Sequence, residues 1–381
     1  MKLILHIGTH KTGTTALQTF LVENSAPLAA RGLYYAAPRD ETVANSIAHA
    51  LETGRGDAVR AFFNHHFEEA MYRSAHTVIV SGENFYGMTP LMKKLGRAQP
   101  CDGALHREGT LIAQLQTLIP AEATTQIVSY FRRPDHYLES LYNQSIKHDF
   151  YVTGKCLDFY EVIADMLSYK KVLDLWREVF GAEFCSTYSY DAVKDDLVPH
   201  FMRSVLSIDD LAGFHARGIH RNERISRDFL EYKREKNHDV LPMERGVERK
   251  IFARLNEELK LDTNAYRDFL SPEERRDLLE SHAADMEGLK AGGDTDFFTP
   301  FDYHAAKKDW QPYPGLSPEI RQRIEKEYQR IRNQPGFFME RFARRAAYHM
   351  RRRLPVLGVA LDAAQKGGLR RVLLSGIEKI Q

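Results

Sequence analysis

A chain of 381 residues with 43% hydrophobic content is globular, long enough for one large α/β domain or two smaller ones. Its net charge of +1 hides an asymmetry: residues 341–381 carry ten Lys/Arg against Asp362 and Glu378, and this surplus of +8 leaves residues 1–340 at about −7. So acidic a body argues against general nucleic-acid binding, while the basic end suits a membrane surface or an acidic partner.

Leu3-Ile4-Leu5-His6-Ile7 reads as a short buried strand, and Gly8-Thr9-His10-Lys11-Thr12-Gly13-Thr14-Thr15 as a glycine-bounded turn opening into a helix. Strand, turn and helix in this order leave backbone N–H groups pointing at one spot, an anion site. Gly8 and Gly13 permit the backbone angles and close approach of a phosphate-wrapping loop, and Thr14 and Thr15 add hydroxyl donors. The spacing of Ala16, Leu17, Phe20 and Leu21 predicts an amphipathic helix over 14–23, ended by Asn24 to Pro27. Leu33-Tyr34-Tyr35 is a second short strand, and helices are expected at 42–53 and 57–74.

His76 to Val80 is the next buried strand, and it delivers Ser81-Gly82-Glu83-Asn84 to its carboxyl end. In an open parallel sheet that end forms the ligand crevice, so Glu83 is expected on the same rim as Lys11. Residues 88–108, with Pro90, Gly96, Pro100 and Gly103, form a loop long enough for a lid or substrate wall. A helix near 107–119 leads into the strand Thr125 to Phe131, which empties into Arg132-Arg133-Pro134-Asp135-His136-Tyr137-Leu138-Glu139-Ser140. Pro134 fits the first turn of a helix and Asp135 its positive end. Two helices over 157–180, a strand over 184–190 and a helix over 191–206 follow. Charged helices are expected at 226–237, 244–260, 272–290 and 317–333, and a basic, aromatic helix over 337–353. The aromatic stretches Phe297 to Tyr303 and Trp310 to Pro314 serve either stacking on a sugar or adenine or packing between helices.

The glycines keep the spacing of the Walker pattern G-x-x-x-x-G-K-[ST], but Thr14 occupies the lysine position and the cation stands earlier, at Lys11. That fits a Mg·ATP site poorly. At these residues, and at Arg132 with Ser140 eight positions on, the chain resembles the sulfotransferases that use 3′-phosphoadenosine 5′-phosphosulfate (PAPS), in particular bacterial members with loops like His-Lys-Thr-Gly-Thr-Thr. The resemblance spans about residues 2–210 in motif order. It implies a P-loop-like α/β fold with a mostly parallel central sheet flanked by helices and a helical carboxyl half. It divides the chain into a domain over 1–335, with its core over about 1–210 and an acceptor-side portion over 211–335, and a basic tail over 336–381.

The resemblance further implies sulfuryl transfer from PAPS, a co-substrate, to an acceptor hydroxyl or amine, a carbohydrate by family prevalence. Gly8, Lys11, Thr12, Gly13, Thr14 and Thr15 would hold the 5′-phosphosulfate, and Arg132 and Ser140 the 3′-phosphate. Glu83 is the first candidate for the base that deprotonates the acceptor, and His10 the second. No metal is required, and His65-His66 lacks a ligand partner at metal spacing. A Mg·ATP-dependent kinase and a non-catalytic nucleotide-binding adaptor are the competing readings. Cys101, Cys156 and Cys185 are odd in number and widely spaced, which suits a reducing compartment. A brief apolar run before Gly8 and the lack of a stretch of about 18 apolar residues point to a cytoplasmic protein, with the basic tail available to the inner membrane face.

Overall fold

The structure, a computed structural model, describes residues 1–36, 43–87, 104–148, 150–215, 225–289 and 297–353. Most of the lid expected over 88–108 lies outside these residues, as do Cys101 and the end of the basic tail. The chain forms two compact units. The first comprises Met1–Ser145, Gly154–Arg224 and Asp268–Pro312; the second comprises Ile146–Thr153, Ile225–Arg267 and Tyr313–Gln381.

The first unit is an α/β layer structure. Its helices are α1 (Thr14–Glu23), α2 (Ser25–Ala29), α3 (Val43–Glu52), α4 (Gly56–Tyr72), α5 (Ala104–Leu118), α6 (Pro134–His148, its last residues from Ile146 belonging to the second unit), α7 (Cys156–Leu167), α8 (Tyr169–Phe180), α9 (Tyr190–Val193) and α10 (Leu197–Ser204). They flank a five-stranded, all-parallel sheet of β1 (Lys2–His6), β2 (Leu33–Tyr35), β3 (Thr77–Ser81), β4 (Thr124–Phe131) and β5 (Cys185–Ser189), in the order β2-β3-β1-β4-β5. The apolar runs of β1 and β3 make central strands because a parallel sheet buries both faces, so hydrophobic residues need not alternate, whereas the edge strand β5 is half-buried throughout. All of Leu3, Ile4, Leu5, Val78, Ile79, Val80, Ile127 and Val128 are buried.

On one face Ile4, Ile79, Val128 and Tyr130 pack against Leu17, Phe20 and Leu21 of α1 and Leu197, Val198, Phe201 and Met202 of α10. Each such side chain contributes about 1.5 to 3 kcal/mol on burial. Leu17 of α1 is wholly buried in this core. Asn24 does end α1, but a new helix starts at once, with Pro27 inside α2 instead of closing the first helix. The Asn24 side chain explains the break: its Nδ2 donates to the carbonyls of Phe20 and His215, each at 2.9 Å, and its Oδ1 accepts from His215 N at 2.7 Å.

Two single helices expected from periodicity are split. The stretch 191–206 divides between Val193 and Leu197, and 272–290 divides at His282 into α13 (Pro272–Ser281) and α14 (Ala283–Glu287). A further helix of this unit, α15 (Tyr303–Asp309), starts where Asp302 Oδ1 accepts from Ala305 N at 2.9 Å. At α13, Ser271 and Glu274 form a reciprocal capping box with Pro272 at the first helical position, a start signal readable in the sequence.

The second unit is helical: α11 (Arg227–Lys236), α12 (Arg245–Leu259), α16 (Pro318–Arg332) and α17 (Pro335–Arg353). Its core joins Phe229, Tyr232, Phe252, Ile324 and Tyr328, with Phe252 and Tyr328 stacked at 5.4 Å between centroids. Lys233 is buried there, its ammonium 4.1 Å from the Phe150 centroid and hydrogen-bonded to Asn237. Among the described residues no helix is long and apolar enough to cross a membrane.

Candidate functional site

The strand register builds the rim. His6 pairs with Ser81 on β3 and with Val128 on β4, so the chain leaves β1 and β3 on the same edge. From β1 it runs to β2 and β3 on one side and then crosses to β4 on the other. The carboxyl end of β1 is therefore the switch point, where open α/β sheets bind ligands.

The loop after β1 is tied to β4 and to itself. Ile7 N donates to Val128 O at 2.9 Å, the Thr9 hydroxyl to Tyr130 O at 3.0 Å, and the Thr12 hydroxyl to Thr9 O at 2.6 Å. Gly8, Lys11 and Gly13 all hold left-handed angles, with φ of 37°, 69° and 73°. A Cβ on Gly8 would lie 2.7 Å from Thr14 Cγ2, and one on Gly13 only 2.5 Å from Leu197 Cδ2, so space as well as angle calls for glycine. Lys11 has no such exemption, and its conformation costs about 1 to 2 kcal/mol. Strain of this kind persists where the surroundings over-determine it, and it concentrates at ligand clamps. Gly13 caps α1 without a side-chain hydrogen bond. Among the described residues no backbone carbonyl accepts from the N–H groups of Thr12, Gly13, Thr14 or Thr15. These amides sit at the positive end of α1, the arrangement that attracts phosphate-like anions. Of the threonines, Thr14 is buried, Thr15 is exposed, and the Thr12 hydroxyl is engaged by Thr9, so Thr12 has its amide to offer a ligand.

His10, Lys11 and Glu83 come together electrostatically. Burial holds the His10 pKa below its ordinary value; the Glu83 carboxylate opposes this and the Lys11 ammonium reinforces it. Gln18 on α1 reaches across, its Nε2 donating to Ser81 O at 3.3 Å and to Glu83 Oε2 at 3.4 Å. Burial, with Glu83 adding to it, pushes the Tyr35 hydroxyl far above its usual range. Beneath the loop, His6 Nδ1 is hydrogen-bonded to Ser81 Oγ at 2.8 Å, and its Nε2 is buried without a hydrogen-bond partner. Burial lowers its pKa to about 4, so the ring is neutral.

The second motif separates two adjacent arginines. Arg133 is buried and structural: Nε and Nη2 donate to the two Asp135 oxygens at 2.8 and 2.9 Å, and Nη1 to Thr299 O at 2.9 Å. Arg275 closes the network, donating to Asp135 at 2.5 Å and to Glu139 at 3.0 Å. Burial alone would raise the Asp135 pKa, but the Arg133 hydrogen bonds and the charges of His136, Arg133 and Arg275 hold it far below the carboxylate range. Arg132 is half-buried at the carboxyl end of β4. Its guanidinium lies 5.6 Å from the Tyr190 centroid, and its Nε, 3.8 Å from Asp191 Oδ1, is buried with no hydrogen-bond partner. A buried guanidinium nitrogen without a bond is costly unless a ligand supplies one, so the residues present fit an anion here. Ser140 sits half-buried two turns into α6, and its hydroxyl forms no hydrogen bond among the described residues.

Sequence reasoning missed Asp191, Gln18 and His6. Asp191 follows the end of β5, and the strand-end logic applied to Glu83 would have found it. It accepts from Arg133 N at 2.6 Å and is hydrogen-bonded to His136 at 3.2 Å. The aromatic stretch after Phe297 is used in packing: Phe298 is buried, its centroid 6.5 Å from that of Tyr169, and Phe301 lies under the Arg133 and Arg275 guanidinium groups. No family model, no curated protein and no solved structure matches the chain.

The rim thus carries two anion-seeking groups, the amide loop with Lys11 and the Arg132 guanidinium. The Glu83 carboxyl group and the His10 imidazole, whose pKa burial lowers, stand beside the first, two groups of the kind that exchange protons.

Proposed function

We propose that the protein is a sulfotransferase that moves a sulfuryl group from PAPS to a hydroxyl or amine acceptor, a carbohydrate by preference. The observation that carries this reading is the strained loop with its cation ahead of the second glycine, joined on one sheet edge by an arginine with an unsatisfied buried nitrogen. Two phosphate-binding groups on one rim suit a ligand with phosphates at both its 5′ and 3′ positions. Thr14 at the Walker lysine position supports this donor over Mg·ATP.

In this reading the bond from sulfur to the 5′-phosphate oxygen breaks, that oxygen keeps the electron pair, and a new bond forms from sulfur to the acceptor. Lys11 and the amides of residues 12–15 stabilise the charge left on the phosphate, each preorganised donor contributing roughly 3 to 4 kcal/mol. Arg132, with Ser140, holds the 3′-phosphate. The acceptor proton passes to Glu83 or to His10; a positioned base supplies about a hundred- to ten-thousand-fold. Burial lowers the His10 pKa, which favours the neutral imidazole that can accept it.

The test is transfer of radiolabelled sulfuryl from PAPS to a panel of oligosaccharide, lipid, peptide and phenolic acceptors. Lys11-dependent labelling of any acceptor supports the activity, and labelling of oligosaccharides alone supports the preferred substrate class. If no acceptor is labelled while the γ-phosphoryl of ATP is transferred, the kinase reading replaces this one.

A further inference from the structure

Several charged residues of α17 are tied to neighbours in the same unit. Arg341 is buried and donates to Arg332 O at 3.1 Å, Arg345 donates to Glu244 at 2.5 Å, and Glu340 binds Lys250 at 2.9 Å and Arg344 at 3.0 Å. The large apolar residues point outward: Phe338, Met339 and Phe342 are 52%, 59% and 61% exposed. At helical spacing these three positions share one arc, which Ala343 and Ala346 extend, so the arc is continuous instead of a scatter of single residues. Arg351, Arg352 and Arg353 make up the last turn of the same helix.

Three features select the occupant of this face. The first is charge: the segment from residue 341 onward carries +8 against about −7 for the rest of the chain, so a negatively charged surface is the complement. The second is area. Three large side chains rather more than half exposed offer roughly 350 Å², well short of the about 800 Å² per partner that a stable protein interface needs. The third is the residue set, since two phenylalanines and a methionine beside arginines are the composition of helices that lie in a bilayer interface.

We infer that α17 is a docking helix for an anionic lipid bilayer, lying in the plane of the membrane with Phe338, Met339 and Phe342 inserted and drawn there by the positive charge of the chain from residue 341 onward. A helix held in this way binds peripherally and reversibly, because it offers little apolar area and its electrostatic part is screened by salt. An enzyme so placed works on acceptors at or near a membrane surface.

The experiment is flotation of the full chain with vesicles of phosphatidylcholine alone and of phosphatidylcholine mixed with phosphatidylglycerol, at low and high salt. The expected result is binding to the mixed vesicles only, lost at high salt. The double variant Phe338→Glu/Phe342→Glu should lower it by about tenfold or more. Each of Arg351→Gln, Arg352→Gln and Arg353→Gln should lower it by about fivefold. The exposed positions should leave the melting temperature unchanged, and Phe338→Ser/Phe342→Ser serves if the glutamates do not. No flotation, or flotation unaffected by either double variant, overturns the inference. A dimer in light scattering that the double variant breaks, without vesicle binding, assigns the face to a second copy and also overturns it. So does binding to an acidic polypeptide but not to vesicles.

Discussion

Gly13→Ala isolates what the turn before α1 requires. Gly13 sits at φ 73°, where an L-residue costs about 1 to 2 kcal/mol. The added Cβ would also stand 2.5 Å from Leu197 Cδ2 and 3.4 Å from Tyr190 Cε2. Leu197 belongs to the packed core between α10 and the sheet, so it cannot swing away freely, and overpacking of this kind costs about 1 to 3 kcal/mol. The sum is a destabilisation of roughly 2 to 5 kcal/mol. Gly54 supplies the control, because it has the same φ of 73° with nothing within 4 Å of its Cβ. Gly54→Ala should therefore show the angular part alone, about 1 to 2 kcal/mol. Both changes restrict the unfolded chain alike, so that contribution cancels in the comparison. Urea unfolding of the two variants beside the wild type measures the difference. If Gly13→Ala is no more destabilising than Gly54→Ala, the tight packing of the loop against Leu197 is wrong.

His6 has a folded pKa of about 4, below its unfolded value near 6.5, so the unfolded chain binds more protons between these values. Its contribution is intact above about pH 6.5 and falls away by roughly 3 kcal/mol as the pH drops to about 4; His6→Gln should remove this part of the pH dependence in denaturant titrations. Asp135 is likewise held far below its unfolded pKa, so its stabilisation is present above about pH 4 and lost as the pH falls further. At neutral pH Asp135→Asn should cost about 3 to 5 kcal/mol, because Arg133 and Arg275 lose their buried counter-charge, and it should flatten the acid limb of stability. In kinetic assays with PAPS, Lys11→Ala should abolish transfer, whereas Arg132→Ala should chiefly raise KM for the donor; wild-type rates in both would remove them from the site.

The sheet was legible because β1 and β3 are buried on both faces and leave short apolar runs such as Val78-Ile79-Val80, and β4 carries Ile127-Val128 and Tyr130-Phe131. The anion loop was legible because its glycines stand at fixed spacing between a strand and a helix. The breaks at Asn24 and His282 were not, because they involve long-range contacts: Asn24 turns the chain by bonding to His215, 191 residues away, and His282 is hydrogen-bonded to Tyr160. The sequence singled out Arg132 through its spacing to Pro134 and Ser140 but did not show what Arg133 does. Asp135 and the Thr299 carbonyl, 166 residues from Arg133, claim that guanidinium, while Arg132 keeps a buried nitrogen with no hydrogen bond. The pairing of His10 with Glu83 was only partly legible. Strand order puts both on one rim, but their electrostatic interaction depends on the conformation of the turn, which no local pattern gives.

The central claim is a site for an adenosine carrying phosphates at both ends of its ribose. Thermal-shift titration of the full chain with adenosine 3′,5′-bisphosphate, beside Mg·ATP and adenosine 5′-monophosphate, tests it directly. At a hundred times its Kd a ligand stabilises by about 2.7 kcal/mol, a clear shift. The account predicts selective stabilisation by the bisphosphate, reduced by Arg132→Ala. Stabilisation by Mg·ATP alone, or by none of the three, would contradict it.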